Sequence, residues 1–461
     1  MSLLAAFTVP HPPLIIPQIG KGGEKQIFET TKAYERVADE IAALKPDTVV
    51  ITSPHSVMYS DYFHISPGAG AQGTFTRFGA PEVRFSETYD TEFVGRLCAL
   101  ADSEDLPAGT LGERDKSLDH GTMVPLWFIR RKYTAGKIVR VGLSGLPLTE
   151  HYRLGQIIAK AASEADKRVV LIASGDLSHK LQEYGPYGFA AEGPEYDRRI
   201  MDVFARAAFG EMLEFDESFC EKAAECGHRS FVIMAGAFDG LAVRPTVLAH
   251  QDITGVGYGV CTFYPEEEDE NRRFLDAFLA KKEKECREKA ATGDPYVKLA
   301  RASVESWVRF RKKLPVPENL PDELLSRRAG AFVSLHKNGN LRGCIGTIAA
   351  TQDNVAEEIV SNAVSACSRD PRFDPVREDE LKYLEISVDV LGEAEEIDSP
   401  DKLDVKRYGV IVSCGQKRGL LLPDLEGVDT VDGQIRIARQ KGGIGEHEPY
   451  RLQRFEVVRH F

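Results

Sequence analysis

Three stretches of the chain are apolar on both faces, and each runs out into a turn that carries a histidine. Leu3 to Val9 ends at Pro10-His11-Pro12-Pro13. Thr48 to Thr52 ends at Ser53-Pro54-His55-Ser56. Arg168 to Ala173 ends at Ser174-Gly175-Asp176-Leu177-Ser178-His179. Short apolar runs bounded by turn residues predict strands buried on both faces of a sheet. Between the first two runs, Glu24 to Leu44 sets Ile27, Tyr34, Val37, Ile41 and Leu44 on one side at helical spacing. Strand, helix, strand in this order is a βαβ unit with parallel strands. Parallel strands end on a common edge, where open α/β folds bind their ligands. His11 and His55 therefore converge despite their separation in the chain.

The pattern continues in the same style. Gly68 to Gly73 is a glycine-rich turn that predicts a local hairpin or lid. Helices are expected over Glu87–Ala101, from Met123 onward, over Tyr152–Ala165, from Pro194 to Ala208, and over Ser230–Leu241. A short acidic helix is expected within Phe215–Cys226. Lys137–Leu143, Arg244–Ala249 and Gly257–Tyr264 read as strands. Asp119, ahead of His120, is placed to cap the helix that follows.

At Pro265 the composition changes. The acidic run Glu266 to Glu270 and the charge-rich Asn271–Ala291 read as a linker helix, so the chain divides into residues 1–264, a linker at 265–294, and a second unit at 295–461. That unit opens with an amphipathic helix, Tyr296–Arg311. A strand, Ala331–Leu335, turns at Asn338-Gly339 into Leu341–Thr347, a hairpin signal. A helix over Asn354–Ser368 and strands at Leu384–Leu391, Tyr408–Ser413, Gly419–Leu422 and Tyr450–Val458 follow, with a last helix ending at Lys441. Segregated strands and helices make it an α+β domain.

With 461 residues the chain is too long for one ordinary core. A net charge of −13 disfavours nucleic acid and anionic membrane as partners. No apolar run is long enough for a transmembrane helix, and the start lacks the basic flank of a signal peptide. The eight cysteines show no CxxC spacing, which argues against a disulfide framework and for a reducing cytoplasm.

Histidines at matched strand ends suggest a metal. Two imidazoles and one carboxylate on one face leave positions open for a substrate and dioxygen, the arrangement suited to iron(II), although the same donors also accept zinc or copper. His11 and His55 supply the imidazoles, and Glu225, just before a Gly turn, is the chosen carboxylate. Cys226 beside it is a competing soft ligand. His120 and His179 are candidates for proton transfer, since opening a catechol ring needs a base for a phenolic proton and an acid during carbon migration. Asp119 or Asp176 can orient such a ring. His64, His151 and His250 read as structural or surface residues. In the second unit, Gly343 and Gly346 bracket Cys344, so Arg342 and Cys344 form a possible second site: an anion-holding guanidinium and a nucleophile whose activity requires a lowered pKa, with Arg342 or His447 near it.

Through Val9–Pro13, Ser53–His55, Leu118–Gly121, Gly175–His179 and Glu225–Gly227, residues 1–264 resemble the LigB-type (class III) extradiol dioxygenases and their Memo-like relatives. The resemblance implies a mostly parallel α/β sheet flanked by helices, iron(II) on His11, His55 and Glu225, acid–base roles for His120 and His179, and an oxidoreductase acting on a small catechol-like or other dihydroxy substrate. In Memo-like members a Cys takes part, at the place where Cys226 falls. Leu341-Arg342-Gly343-Cys344-Ile345-Gly346-Thr347 makes residues 295–461 resemble the AMMECR domain. The fusion is similar to proteins of the AmmeMemoRadiSam arrangement, which implies an alternative role as a metal-binding accessory to a radical-SAM enzyme.

Overall fold

The computed structural model describes residues 2–425 and 427–461. The chain divides into two compact units, one up to Phe278 and one from Leu279. The division falls inside a helix, Phe274–Thr292. The expected linker at 265–294 is therefore partly strand and partly helix.

The first unit is a three-layer α/β domain. Its elements are β1 (Leu3–Val9), α1 (Phe28–Leu44), β2 (Thr48–Ser53), β3 (Gly70–Phe75), β4 (Ala80–Thr88), α2 (Thr91–Ser103), α3 (His120–Lys132), β5 (Lys137–Gly142), α4 (Leu148–Glu164), β6 (Val169–Ser174), α5 (Glu192–Arg206), α6 (Glu217–Ala223), α7 (His228–Ala237), β7 (Leu241–Gln251) and β8 (Tyr258–Glu268). Among the described residues, six strands form the main sheet in the order β5-β2-β6-β1-β8-β7. The four from β5 to β1 are parallel, and β8 and β7 close the sheet antiparallel. The β1-α1-β2 unit is present, with β6 inserted between its two strands.

Alternate residues of each central strand serve opposite layers. Phe7, Val9, Val49, Ile51, Val170 and Ile172 pack with Tyr34 and Val37 of α1 and Val124 and Phe128 of α3. From the other face, the Thr52 hydroxyl meets Ser230 of α7. Burial on both faces explains why these strands read as continuous apolar runs.

The glycine-rich segment is not a turn alone: Gly70–Phe75 is strand β3, paired antiparallel with β4. The expected solvated acidic run is also partly strand. β8 continues to Glu268, held to β7 by pairing up to Leu241↔Glu268, with Glu266, Glu267 and Glu268 exposed. Charged side chains suit a ribbon that has left the core, so the charge run did not end the strand.

In the second unit the sheet runs Asn340–Gly346, Ala331–Lys337, Leu384–Leu391, Arg451–His460, Tyr408–Cys414, Lys417–Leu421, with Glu395–Ile397 beside Arg451–His460. Among the described residues, its strand pairings are all antiparallel. Helices Pro295–Phe310 and Val355–Ser368 cover Val333, Leu335 and Val388 on one face. Helix Val431–Lys441 covers Val410, Val412 and Leu421.

Candidate metal centre

The C-terminal edge of the parallel strands gathers the predicted histidines. His11 Nε2 and His55 Nε2 lie 2.9 Å apart, and Cys226 Sγ lies 3.6 Å from His11 Nε2. One ligand atom from each of His11, His55 and Cys226 falls within 4.8 Å of the others. His11 is buried, Cys226 half-buried and His55 exposed. The cluster thus has a closed floor and an open mouth.

Hydrogen bonds fix which nitrogen of His11 is bare. The Ser174 hydroxyl donates to the carbonyl of Gly121 at 2.6 Å, and its oxygen lies 3.0 Å from His11 Nδ1. A hydroxyl has one proton to give, so towards His11 it accepts. His11 therefore carries its proton on Nδ1, and Nε2 presents a lone pair to the cluster. Burial, reinforced by the neighbouring His55, also holds the His11 pKa well below its usual value, so the ring is neutral. A neutral imidazole with its far nitrogen anchored is the form that binds a metal.

The loop after β2 is held from the start of α3. Asp119 accepts from the Thr122 N–H at 3.0 Å, capping α3 as its sequence position predicts, and also accepts from the Ser53 hydroxyl at 2.6 Å. Ser53 in turn accepts from the His55 N–H. A side chain at Gly121 would lie 2.3 Å from Ser53 Oγ, so only glycine lets α3 approach this closely. The fully buried Arg140 of β5 anchors the same loop by donating to the carbonyl of Ser117 and to the Ser66 hydroxyl. Its only signal in the sequence is a lone arginine within an apolar strand.

Of the two candidates for a third donor, Glu225 is not the one brought to the histidines. Glu225 turns into the protein and accepts from the His228 N–H at 2.6 Å, at the start of α7, and it is not part of the cluster formed by His11, His55 and Cys226. Burial raises its pKa to about 7, against the opposing pull of that N–H. Cys226 occupies the place beside the histidines. Its sulfur accepts from the Asp176 N–H at 3.3 Å, and its own N–H is 3.4 Å from the Asp176 carbonyl. A Cβ at Gly175 would sit 2.1 Å from the Cα of Gly227. These two glycines allow backbone-to-backbone contact, and that contact seats Cys226 against the end of β6.

His120 and His179 take different surroundings. His120 stacks on His55 with ring centroids 4.0 Å apart and meets the Phe78 ring at 5.3 Å. Burial, then His55 and His11, lower its pKa to about 3. His179 donates through Nδ1 to the carbonyl of Ala224, and its Nε2 lies 3.7 Å from Asp176 Oδ2. Asp176 also accepts from the His11 N–H at 2.7 Å. A cavity of about 730 Å³ opens beside the cluster, lined by His55, His120, Asp119, Phe78, Met123 and Arg140 among others. Phe78 follows β3, so the predicted hairpin overhangs this cavity.

The other histidines behave differently from one another. His250 pairs with Asp197 at 2.9 Å. His151 is buried in α4 against the Pro147 carbonyl. His64 is buried, and neither ring nitrogen has a hydrogen-bond partner.

The comparisons with known proteins follow this division. Residues 5–261 match the family described as the catalytic LigB subunit of aromatic ring-opening dioxygenase, and residues 297–460 match AMMECR1. A protein of Clostridium acetobutylicum is 39% identical over 468 aligned positions, covering 100% of this chain and 99% of that one. The chain belongs to this family of LigB–AMMECR1 fusion proteins. A Thermotoga maritima protein is 51% identical over 168 residues, 36% of this chain and 97% of its own length. Among solved structures, the uncharacterized protein PH0010 from Pyrococcus horikoshii is 29% identical over 36% of this chain and 89% of its own, with a TM-score of 0.34. The uncharacterized protein JW3007 from Escherichia coli is 14% identical over 56% of this chain and 99% of its own, with a TM-score of 0.39.

In the AMMECR1 domain the expected anion site is already filled from within. Arg342 donates to both carboxylate oxygens of Glu380, at 3.1 and 2.9 Å. Cys344 does not have the lowered pKa that a nucleophile requires: burial pushes its thiol up, with Ser334 donating to the sulfur. Its N–H is held by Asp370, which pairs with Arg372. The side chains of Arg342, Glu380, Asp370 and Arg372 are thus paired with one another around the Leu341–Thr347 strand. No helix of the described residues is long and apolar enough to cross a membrane.

Proposed function

We propose that the LigB domain is an iron(II)-dependent oxidoreductase of the extradiol type, acting on a small dihydroxy aromatic substrate, with the metal on His11, His55 and Cys226. The observation that carries this reading is the convergence of two neutral imidazoles and a thiol at the edge of the 730 Å³ cavity. The donor set fits a first-row transition ion. Zinc and copper accept the same donors, and iron(II) is favoured by the ring-opening family that the domain matches. The third donor is a sulfur in place of the carboxylate expected from sequence. Burial keeps that thiol protonated on its own, so metal binding releases its proton.

Iron(II) held by these residues would supply the redox centre through which electrons pass from the substrate to dioxygen. The protein's own groups do the rest. Ser174 holds the His11 ring in the ligating tautomer. His120 lines the cavity, stacked on His55, and is the imidazole placed to take a proton from a substrate hydroxyl seated there. Phe78 meets the His120 ring from the hairpin and gives that side of the cavity an apolar wall.

Protein purified without oxygen and loaded with iron(II) is expected to consume dioxygen with at least one member of a catechol panel and to yield the absorbance of a ring-opened product. His55→Ala should abolish both. Stoichiometric iron without oxygen uptake or ring-opening across the panel would sink this form of the reading.

A further inference from the structure

The AMMECR1 domain holds a cavity of about 440 Å³ at a place where its sheet loses a strand. Strand Leu384–Leu391 pairs with Ala331–Lys337 from Leu384 to Val390 on one side, but on the other Arg451–His460 meets it only from Val388 to Leu391. Leu384 to Ser387 therefore have one edge without a strand partner among the described residues. Glu385, Ile386 and Ser387 line the cavity, as does Phe461, just past the end of the shorter strand. Helix Pro295–Phe310 adds Val297 and Arg301, one turn apart on the same face. The charges here do not cancel. Lys289 is exposed and already paired with Glu385 at 2.6 Å. Arg301 donates to the Leu384 carbonyl at 2.7 Å, but its Nε is buried with no hydrogen-bond partner, and no carboxylate forms an ion pair with it among the described residues. Burial draws its pKa below the usual value, as expected of a guanidinium taken from water without full compensation. His336, on the same wall, is kept neutral by burial and adds no charge.

We propose that this cavity binds a small-molecule carboxylate with a short aliphatic or aromatic body, its head on Arg301 and its body against Val297 and Ile386. A cation short of partners beside an apolar wall selects an anionic head on an apolar body. The planar guanidinium matches a carboxylate in shape and charge. A phosphate dianion fits less well, because one guanidinium is all the positive charge left over once Lys289 is committed to Glu385. The site shares no residue with the metal centre of the LigB domain and stands independently of the function proposed there.

Calorimetric titration of the full-length protein with octanoate, benzoate and the neutral octanamide tests this. At least one of the two carboxylates is expected to bind at one equivalent, and octanamide to bind more weakly than octanoate by about tenfold or more, the worth of a charge-assisted hydrogen bond. Arg301→Gln keeps an N–H for the Leu384 carbonyl and should weaken carboxylate binding by a similar factor. Ser387→Trp fills the cavity while leaving the guanidinium in the chain, and should abolish binding. Thermal unfolding shows which variants are folded. His55→Ala should bind as the unaltered protein does, which separates this site from the metal centre. Failure of both carboxylates to bind, octanamide binding as tightly as octanoate, undiminished binding in either folded variant, or loss of binding in His55→Ala overturns the proposal.

Discussion

The Ser174 hydroxyl sits 3.0 Å from His11 Nδ1 while donating its own proton to the Gly121 carbonyl. One contact therefore ties three elements together: the end of β6, the turn after β1 and the first turn of α3. It also decides the chemistry of His11, because it leaves Nε2 unprotonated. Ser174→Ala removes that acceptor without adding bulk. The expected result is a metal affinity weaker by about 10–100-fold with the fold retained, read by competition with a chelator. Unchanged affinity would show that the tautomer is set elsewhere.

The contact between Gly175 and Gly227 positions the sulfur. Gly175→Ala would place a Cβ 2.1 Å from the Gly227 Cα, with backbone on both sides and no flexible side chain to yield. A destabilisation of about 1–3 kcal/mol is expected, together with loss of the thiolate-to-cobalt absorption band. Thermal unfolding and the near-ultraviolet spectrum of the cobalt form check the two effects separately.

His120 is assigned to proton transfer and not to the metal. His120→Gln should keep its metal content and lose about 10²–10⁴-fold in turnover. Metal analysis beside oxygen uptake distinguishes this outcome from a ligand role, in which content and turnover would fall together.

Glu380 gives the AMMECR1 domain a defined acid response. Burial by itself pushes the carboxyl up, but Arg342, the Arg377 N–H and Lys337 outweigh it and bring the pKa to about 2, against an ordinary 4.5. A depressed folded pKa stabilises above the unfolded value and loses that contribution as pH falls towards the folded one. Protection of the Asn340–Gly346 strand against hydrogen exchange should therefore weaken between about pH 4.5 and pH 2. Glu380→Gln should show lower protection at pH 7 and a shallower decline over that window.

Much of this architecture was legible in the sequence, because parallel strands buried on both faces announce themselves as apolar runs and their ends carry the histidines. The cap at Asp119 and the Asn338-Gly339 hairpin were legible for local reasons of the same kind. The insertion of β6 between β1 and β2 was not, since strand order depends on contacts distant in the chain. Nor was the choice between Glu225 and Cys226. Adjacent residues in a turn point in different directions, and here Ala224 takes a left-handed backbone with φ of 53° just before them. That reversal, together with the glycine contact behind it, sends the carboxylate to the α7 N-terminus and the sulfur to the histidines. Chemical type alone favoured the carboxylate; backbone geometry brings the sulfur, and not the carboxylate, to the histidines. The charged run at 266–268 misled for a related reason, because a projecting ribbon tolerates charge that a core strand cannot.

The most direct measurement compares Cys226→Ala with Glu225→Gln. The glutamine keeps an oxygen to accept from the His228 N–H, so the start of α7 is preserved. Iron(II) content after anaerobic loading and desalting should fall to background in Cys226→Ala and match the unaltered protein in Glu225→Gln. Full iron retention in Cys226→Ala with loss in Glu225→Gln would contradict the centre described here and return the third ligand to the carboxylate.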